Sequence, residues 1–309
     1  MDKQFLKLLK CPETGEDLVV SGNELTSSGG GRRYKLSSAG IPMFAAACFS
    51  PEGKIQEKHY NKVAAEYLEN LGYSHTKYYI SYLNRLLMKY FDKGKTVVAA
   101  EICCGDGEGL KMIGKTLELG VGVDVSCSML EGAKRNLANG NVFFVQADAT
   151  LLPLKDSSFD AAVLLGGIHH VINREKLFSE IYRILKPGGK LYWREPLNDF
   201  PLWKWLRYIV YRLSPALDSK TEAPLEYKLT KKQLNDAGIS LKLWNTCGFL
   251  AFALFMNSDV LVITRLFRFV PGIEILVKMA AKFDEYLLNI DVFRNLGFLV
   301  IGMAEKRRQ

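Results

Sequence analysis

A chain of 309 residues with 48% apolar and 24% charged residues suits one large core or a core with a small appendage, and its composition excludes a fibrous or disordered protein. Its formal charge of +8 is carried mostly by the second part, where 16 Lys and Arg stand against 10 Asp and Glu from residue 201 onward. That leaves nucleic acid, an anionic membrane or an anionic small molecule open as partners, beside a merely solvated basic surface. Six cysteines without a CxxC pair and four histidines without ligand spacing argue against a disulfide framework, offer no metal site and point to reduced thiols in a cytoplasmic protein.

Residues 1 to 50 alternate short extended runs (Leu18 to Val20, Arg33 to Leu36) with turn chemistry such as Ser28-Gly29-Gly30-Gly31, which predicts a separate small β-rich unit. The opening MDKQFLKLLK lacks the apolar run of a signal peptide. Three blocks, Cys11-Pro12-x-Thr14-Gly15-x-x-Leu18, Arg33-Tyr34 and Gly40-Ile41-Pro42, resemble the zinc-ribbon-like domain related to the tRNA-methyltransferase activator subunit. Thr14 stands where a second cysteine would complete a CxxC, so the resemblance implies a metal-free scaffold.

From Pro51 to Lys93 the pattern is helical, with Tyr79, Leu83, Leu86, Leu87 and Tyr90 on one face; residues 51–95 are expected to form a helical lid. From Thr96 onward strands and helices alternate. Strands are predicted at Val97 to Ile102, Val121 to Val125, Val142 to Val145, Phe159 to Leu165 and Lys190 to Arg194, with helices near Gly107 to Leu117, Ser128 to Asn139 and Arg174 to Leu185. Lys186-Pro187-Gly188-Gly189 is read as stopping the last of these helices. Pro201 to Leu213 is an aromatic helix candidate, Thr230 to Ala237 a helix capped by Thr230, and Ser240 to Thr246 and Leu296 to Ala304 two further strands. The fold expected is α/β, a Rossmann-like seven-stranded, mostly parallel sheet with helices on both faces. Residues 96–309 would form this domain, with cap insertions near 197–229 and 250–293. The most apolar stretch, Cys247 to Ile263, is broken by Asn257, Ser258 and Asp259 and is too short to span a bilayer.

The stretch Thr96 to Asp124 is a strand, a glycine loop (Gly105, Gly107, Gly109), a helix and a second strand ending on an acid, the opening of a nucleotide-binding unit. A dinucleotide fingerprint counted from Gly105 finds Leu110 where its last glycine belongs. Gly109-LKMI-Gly114-Lys115-Thr116 fits the P-loop expression, but no helix fits between Thr116 and the strand at Val121. A third pattern covers more of the chain. Glu101-Ile-Cys-Cys-Gly105-Asp-Gly107, Gly122-Val-Asp124-Val-Ser126-x-x-Met129-Leu130, Gln146-Ala-Asp148-Ala149, Ser158-Phe159-Asp160, Gly167-Ile168-His169-His170 and Ile184-Leu185-Lys186-Pro187-Gly188-Gly189 follow in order. Together they resemble the class I S-adenosylmethionine-dependent methyltransferases, close to the ubiquinone/menaquinone-biosynthesis type, over roughly Tyr60 to Pro196.

That resemblance implies roles. Gly105 and Gly107 would admit the methionine part and ribose of S-adenosylmethionine, Asp124 would hold the ribose hydroxyls, and Val125 and Met129 would flank the adenine. Asp148 would accept the adenine amino group beside Ala149, Glu101 would brace the glycine loop, and Leu165-Gly166 would meet the methionine end. Tyr60 belongs to the leading helix that folds over the cofactor. Cys103 stands where the family has its first glycine. His169 and His170, after the fourth strand, are the candidate bases, since an imidazole titrates near neutrality. Glu195 ends the fifth strand and is a candidate to face the acceptor. No N-P-P-[YFW] or D-P-P-[YFW] signature of base-methylating enzymes occurs, while Trp203, Trp205, Phe249, Phe252, Phe255, Phe267 and Phe269 offer an apolar cap. The expected acceptor is therefore a small hydrophobic molecule, phenolic, quinone-like or a natural product, with peripheral membrane contact open. A tRNA or rRNA acceptor and a non-methylating scaffold that binds S-adenosylmethionine are the rival readings.

Overall fold

The computed structural model describes residues 1–45, 50–92, 95–137, 140–201, 203–205, 207–208, 222–256 and 262–308. Cys48 and, within the aromatic helix candidate, residues 202, 206 and 209–213 lie outside the described residues. The elements in order are α1 (Lys3–Leu6), β1 (Leu18–Ser21), β2 (Glu24–Ser27), β3 (Arg33–Lys35), α2 (Pro51–Leu71), α3 (Ser74–Met88), β4 (Val97–Ile102), α4 (Glu108–Ile113), β5 (Leu117–Asp124), α5 (Cys127–Asn136) and β6 (Val142–Gln146). They continue with β7 (Phe159–Leu165), α6 (Arg174–Ile184), β8 (Leu185–Pro196), α7 (Tyr227–Asp236), β9 (Ile239–Cys247), α8 (Leu250–Phe255), α9 (Ile273–Leu288) and β10 (Leu299–Lys306).

Seven strands form one sheet in the order β6-β5-β4-β7-β8-β10-β9. The pairings among β4 to β8 are parallel, and β10 runs antiparallel to both β8 and β9. The expected Rossmann-like architecture is therefore what the chain adopts. Its central strands are buried on both faces, which is why β4 and β7 read as nearly continuous apolar runs rather than alternating ones. Connections leave β4 and β7 in opposite directions, so the switch point of the sheet lies at their carboxyl ends, where open sheets hold ligands.

Two cores sandwich the sheet. One contains Leu177, Phe178 and Ile181 of α6, Leu234 of α7 and Trp193 of β8. The other contains Tyr79, Leu83 and Leu87 of α3, Leu110 and Ile113 of α4, Leu130 of α5, Phe252 of α8 and Val277 of α9. Trp193, almost wholly buried, lies over its cross-strand partner Gly302, where any Cβ would fall 2.0 Å from the indole.

Residues 1 to 45 build a three-stranded antiparallel sheet, with β2 between the two expected runs. The apolar side of this unit, Phe5, Leu9, Leu18, Leu25, Tyr34 and Phe44, belongs to the first core rather than to a core of its own. It covers the sheet's β6 edge: Phe44 N–H donates to Gln146 O at 2.9 Å, and Gln146 N–H donates to Pro42 O at 2.9 Å. The Cys11 thiol lies 3.1 Å from the Tyr34 hydroxyl, and among the described residues no three His, Cys, Asp or Glu converge as a metal site.

Several expectations need correction. Thr230 is not a cap but a buried residue inside α7, whose flanking residue is Glu226. β5 begins at Leu117, directly after the Gly114–Thr116 turn, so the P-loop-like motif sits at the wrong end of a helix. Helix α6 ends at Ile184, before Lys186-Pro187-Gly188-Gly189. That motif forms a bulge in β8, with Phe159 opposite Leu185 and Ala161 opposite Lys190. The aromatic cap packs on itself: Trp203 stacks on Phe298 at 3.9 Å, Phe249 lies 5.1 Å from Phe298, and Phe255 lies 5.5 Å from Phe267.

Candidate functional site

A cavity of about 700 Å³ opens at the switch point, within the range of about 300–1,000 Å³ typical of small-molecule sites. It is lined by the loop after β4 (Cys103, Gly105, Asp106), the end of β5 (Asp124, Val125), Met129 of α5 and Asp148-Ala149-Thr150. The turn after β7 (Leu165, Gly166, Gly167, His170) and residues 50–60 of the lid complete most of its wall.

The loop's geometry follows from three acids. Glu101, buried at the end of β4, accepts from Gly109 N–H at 2.7 Å and Leu110 N–H at 2.9 Å, fixing the start of α4. Burial pushes its carboxyl pKa well up, and those two N–H groups act against the shift. Gly107 precedes that helix at φ 79°, a left-handed conformation that glycine adopts without strain. Asp124 accepts from Gly105 N–H at 2.8 Å and Ser126 N–H at 2.9 Å, so it ties the glycine loop to the start of α5. It is 8% exposed, and burial raises its pKa. Asp106, in the same loop, is pushed up to about 6, chiefly by burial and then by Glu108.

Asp148 is more fully engaged than the sequence suggests. Its Oδ2 accepts from Ser50 N–H at 3.0 Å and Ser50 O–H at 2.6 Å, and its Oδ1 accepts from Thr150 N–H at 2.8 Å and Thr150 O–H at 2.7 Å. Ser50 is also the N-cap of α2, accepting from Gly53 N–H at 3.0 Å. The lid helix is thus tied to the acid expected to receive the adenine amino group, and nothing in the spacing of residues 50 and 148 signals it.

Cys103 lines the cavity with a backbone φ of +54°. A glycine is the ordinary occupant of such a conformation, and a side chain there costs roughly 1–2 kcal/mol. The thiol's Cβ fills the space beside Gly167, where an added Cβ would fall 2.5 Å from it. Burial drives the Cys103 pKa well up, and Asp124 adds to the effect, so the group is a neutral thiol.

The two histidines are separated by their surroundings. His170 lines the cavity, and its Nε2 lies 2.7 Å from the Tyr60 hydroxyl of the lid. Its Nδ1 is buried with no hydrogen-bond partner. With Nε2 accepting from tyrosine, the ring proton is assigned to Nδ1. Burial depresses the His170 pKa well below the ordinary value, with the nearby His169 and His59 adding to it. His169 is outside the cavity wall; its Nδ1 is 2.7 Å from Glu195 Oε2. Glu195 does not face the cavity as expected. It is buried and accepts from Gly167 N–H at 2.7 Å, Ile168 N–H at 2.8 Å and His169 N–H at 3.4 Å, holding the turn that carries both imidazoles.

Among the described residues the aromatic cap contributes none to the cavity wall. Past His170 the wall is instead Val171 to Lys176 together with Gln233 of α7. Ser50, Thr150, Arg174 and Gln233 carry no motif and were not expected at the site.

Residues 100–193 match the family model described as a methyltransferase domain. The chain is 39% identical over 114 residues to a ubiquinone/menaquinone biosynthesis C-methyltransferase UbiE of Haemophilus ducreyi, a match covering 35% of this chain and 43% of that relative. The chain thus spans less than half the length of that relative. Among solved structures it is similar to the [4+2]-cyclase SpnF, with a TM-score of 0.59 at 17% identity over 84% of this chain and 98% of that one. It is also similar to a chain of the complex between the Haloferax volcanii Trm112 methyltransferase activator and a methyltransferase. There the TM-score is 0.55 at 15% identity, over 80% of this chain and 97% of the other. At such identities the structural likeness speaks for the fold alone.

Proposed function

We propose that this chain, whose residues 100–193 are a methyltransferase domain with S-adenosylmethionine as its cofactor, methylates a small phenolic or quinone-like molecule. The observation that carries the reading is the Tyr60–His170 pair, a phenol hydrogen-bonded to a neutral imidazole on the wall of the cavity that also holds Asp124 and Gly105.

The residues present fit the cofactor. Gly105 leaves the loop open at φ 52°, Asp124 faces the cavity with lone pairs left on both oxygens, and Val125, Met129 and Ala149 supply an apolar floor beside Asp148. In the proposed arrangement Asp124 holds the ribose hydroxyls, Met129 and Val125 flank the adenine, and Leu165 and Gly166 border the methionine end. The cofactor supplies a methyl group already activated by its sulfonium, so the protein's work is alignment and proton removal. Tyr60 passes its proton to His170 Nε2 as it takes the proton of the acceptor hydroxyl. Charge then develops on the acceptor while the imidazole becomes cationic. His169, locked by Glu195, holds the turn under His170.

The relative's printed name supports a quinone-type acceptor, with transfer to carbon as the finer expectation. An exposed apolar stripe on α9, with Ile275 65%, Met279 62% and Tyr286 72% exposed, supports collection of a lipophilic acceptor from a membrane surface. Among the described residues no helix is long and apolar enough to cross a membrane. The test is an incubation with S-adenosylmethionine and a panel of hydroquinones and phenols, read by mass spectrometry for a 14-dalton gain (one CH₂) together with S-adenosylhomocysteine. The proposal expects both products. Tight cofactor binding without either would favour the scaffold reading instead, and methylation confined to added RNA would favour the nucleic-acid reading.

A further inference from the structure

Arg174 opens helix α6, four residues after His170, and lines the same cavity. Its side chain is only 6% exposed. Among the described residues its guanidinium makes no hydrogen bond or ion pair, and Nη2 is fully enclosed without a partner. This is a costly arrangement, because a buried charge without a partner forfeits its hydration without compensation.

The neighbouring carboxylates do not answer it. Glu195 and Glu226 act on it through space, pulling its pKa up against the larger lowering effect of burial, yet both are held elsewhere. Glu195 is filled by three backbone N–H groups and His169, and Glu226 pairs with Lys204 on the surface. A guanidinium stays charged under these conditions. Gln233 of α7, which lines the same cavity, also has a buried side-chain oxygen without a partner. The orphaned guanidinium donor marks the place where an anionic ligand completes the hydrogen bonding, while the Gln233 oxygen calls for an O–H on the same ligand.

We propose that the acceptor carries an anionic oxygen group, a carboxylate or a phosphate, that docks on Arg174 and thereby presents its ring to Tyr60 and His170. This inference rests on reading the cavity as an acceptor site. A planar guanidinium matches either oxyanion with paired hydrogen bonds. The acceptor class is then an acidic phenol or an aryl phosphate rather than a purely apolar quinol, in keeping with a wall that is polar from Asn173 onward.

The experiment uses the full chain saturated with S-adenosylhomocysteine and measures binding by calorimetry. The probes are 4-hydroxybenzoate, its methyl ester and phenyl phosphate. The wild-type protein is expected to bind at least one of the two anions tenfold or more tightly than the ester, and which anion it prefers tells carboxylate from phosphate. Arg174→Gln should abolish that preference while S-adenosylhomocysteine affinity stays within twofold. Removing an unpartnered buried charge should also leave the ligand-free melting temperature unchanged or raised. Equal binding of acid and ester, or no binding of either anion, would overturn the proposal. So would an Arg174→Gln variant that melts several degrees lower, or one that loses S-adenosylhomocysteine, which would assign the guanidinium to the fold or to the cofactor's own carboxylate. None of these readouts needs turnover, so absence of methyl transfer would count against the proposed reaction and not against this site.

Discussion

Cys103 is where the chain departs most from its resemblance, and its geometry says what the departure costs. The backbone keeps a left-handed conformation suited to glycine, while the added Cβ occupies the space that Gly167 leaves open. Gly167→Ala should therefore collide with Cys103 and destabilise by about 1–3 kcal/mol. Pairing it with Cys103→Gly should restore most of that loss, since the same space is then filled from the other side. The single and double variants form a thermal-denaturation cycle in which the expected coupling is roughly 1 kcal/mol or more. Additive melting shifts would show that the two positions do not share one space. Asp124 and Glu101 were legible from sequence because they end strands beside glycines. The Cys103–Gly167 fit was not, since it joins residues from the loops that follow β4 and β7 through a contact no local pattern encodes.

The His170 ring carries the second residue-scale expectation. Its folded pKa is depressed, so below pH 6.5 the unfolded chain binds the proton more readily than the folded one. This group's contribution to stability is intact above about pH 6.5, the unperturbed value, and is lost as the pH falls toward the folded pKa. Turnover should be level from neutrality upward until other groups titrate, and should fall only in acid, when Nε2 is protonated and can no longer accept from Tyr60. Tyr60→Phe should lower kcat by about 10²-fold or more, the scale of lost acid–base catalysis, with S-adenosylhomocysteine affinity little changed. A Tyr60→Phe enzyme with normal kcat would remove the relay.

At the scale of elements, the sheet was readable almost entirely because its parallel strands announce themselves as apolar runs separated by helical periods. Residues 51–95 were readable as helix, but among the described residues of the expected lid only α2 reaches the cavity, while Tyr79, Leu83 and Leu87 of α3 pack into the core. The tie from Ser50 to Asp148 was not readable. Ser50 caps α2 and at the same time fills Asp148 Oδ2, a contact 98 residues apart in sequence. An adenine amino group arriving at Asp148 must compete with Ser50. Ser50→Ala should therefore lower the melting temperature through loss of a cap worth about 1 kcal/mol, yet leave S-adenosylhomocysteine binding unchanged or tighter. Asp148→Ala should weaken the same binding by about tenfold or more, a loss on the scale of 1.5–3 kcal/mol for a hydrogen bond to a charged group. If Ser50→Ala weakens binding as much as Asp148→Ala, the serine is itself a cofactor contact and not a competitor. The aromatic cap shows the opposite limit of sequence reading. Its residues have the composition of a binding surface, but Phe298 gathers Trp203, Phe249 and Phe252 into core.

At the scale of the whole molecule, apolar surface is covered at one end and exposed at the other. Residues 42–44 pair along β6 and close that sheet edge, which would otherwise present unpaired N–H and C=O groups. At the opposite side, α9 carries apolar residues both on its buried face and on part of its outward face. It buries Ile273, Val277, Ala281 and Leu288 against the core, while Ile275, Met279, Phe283 and Tyr286 face out beside Lys278 and Lys282. Glu274 and Glu285 offset the two lysines on this helix, so it is the outward apolar stripe, with Lys278 and Lys282 beside it, that suits a bilayer's headgroup boundary. The full chain should float with vesicles of phosphatidylcholine and phosphatidylglycerol and do so less in high salt. Ile275→Glu with Met279→Glu should release it by tenfold or more while S-adenosylhomocysteine binding is preserved, because neither residue lines the cavity. Wild-type protein that stays in the dense fraction, but sediments as a dimer that the double variant converts to monomer, would assign the stripe to a second copy of the chain. Loss of flotation without loss of affinity would instead separate the surface that meets the lipid from the cavity that performs the chemistry.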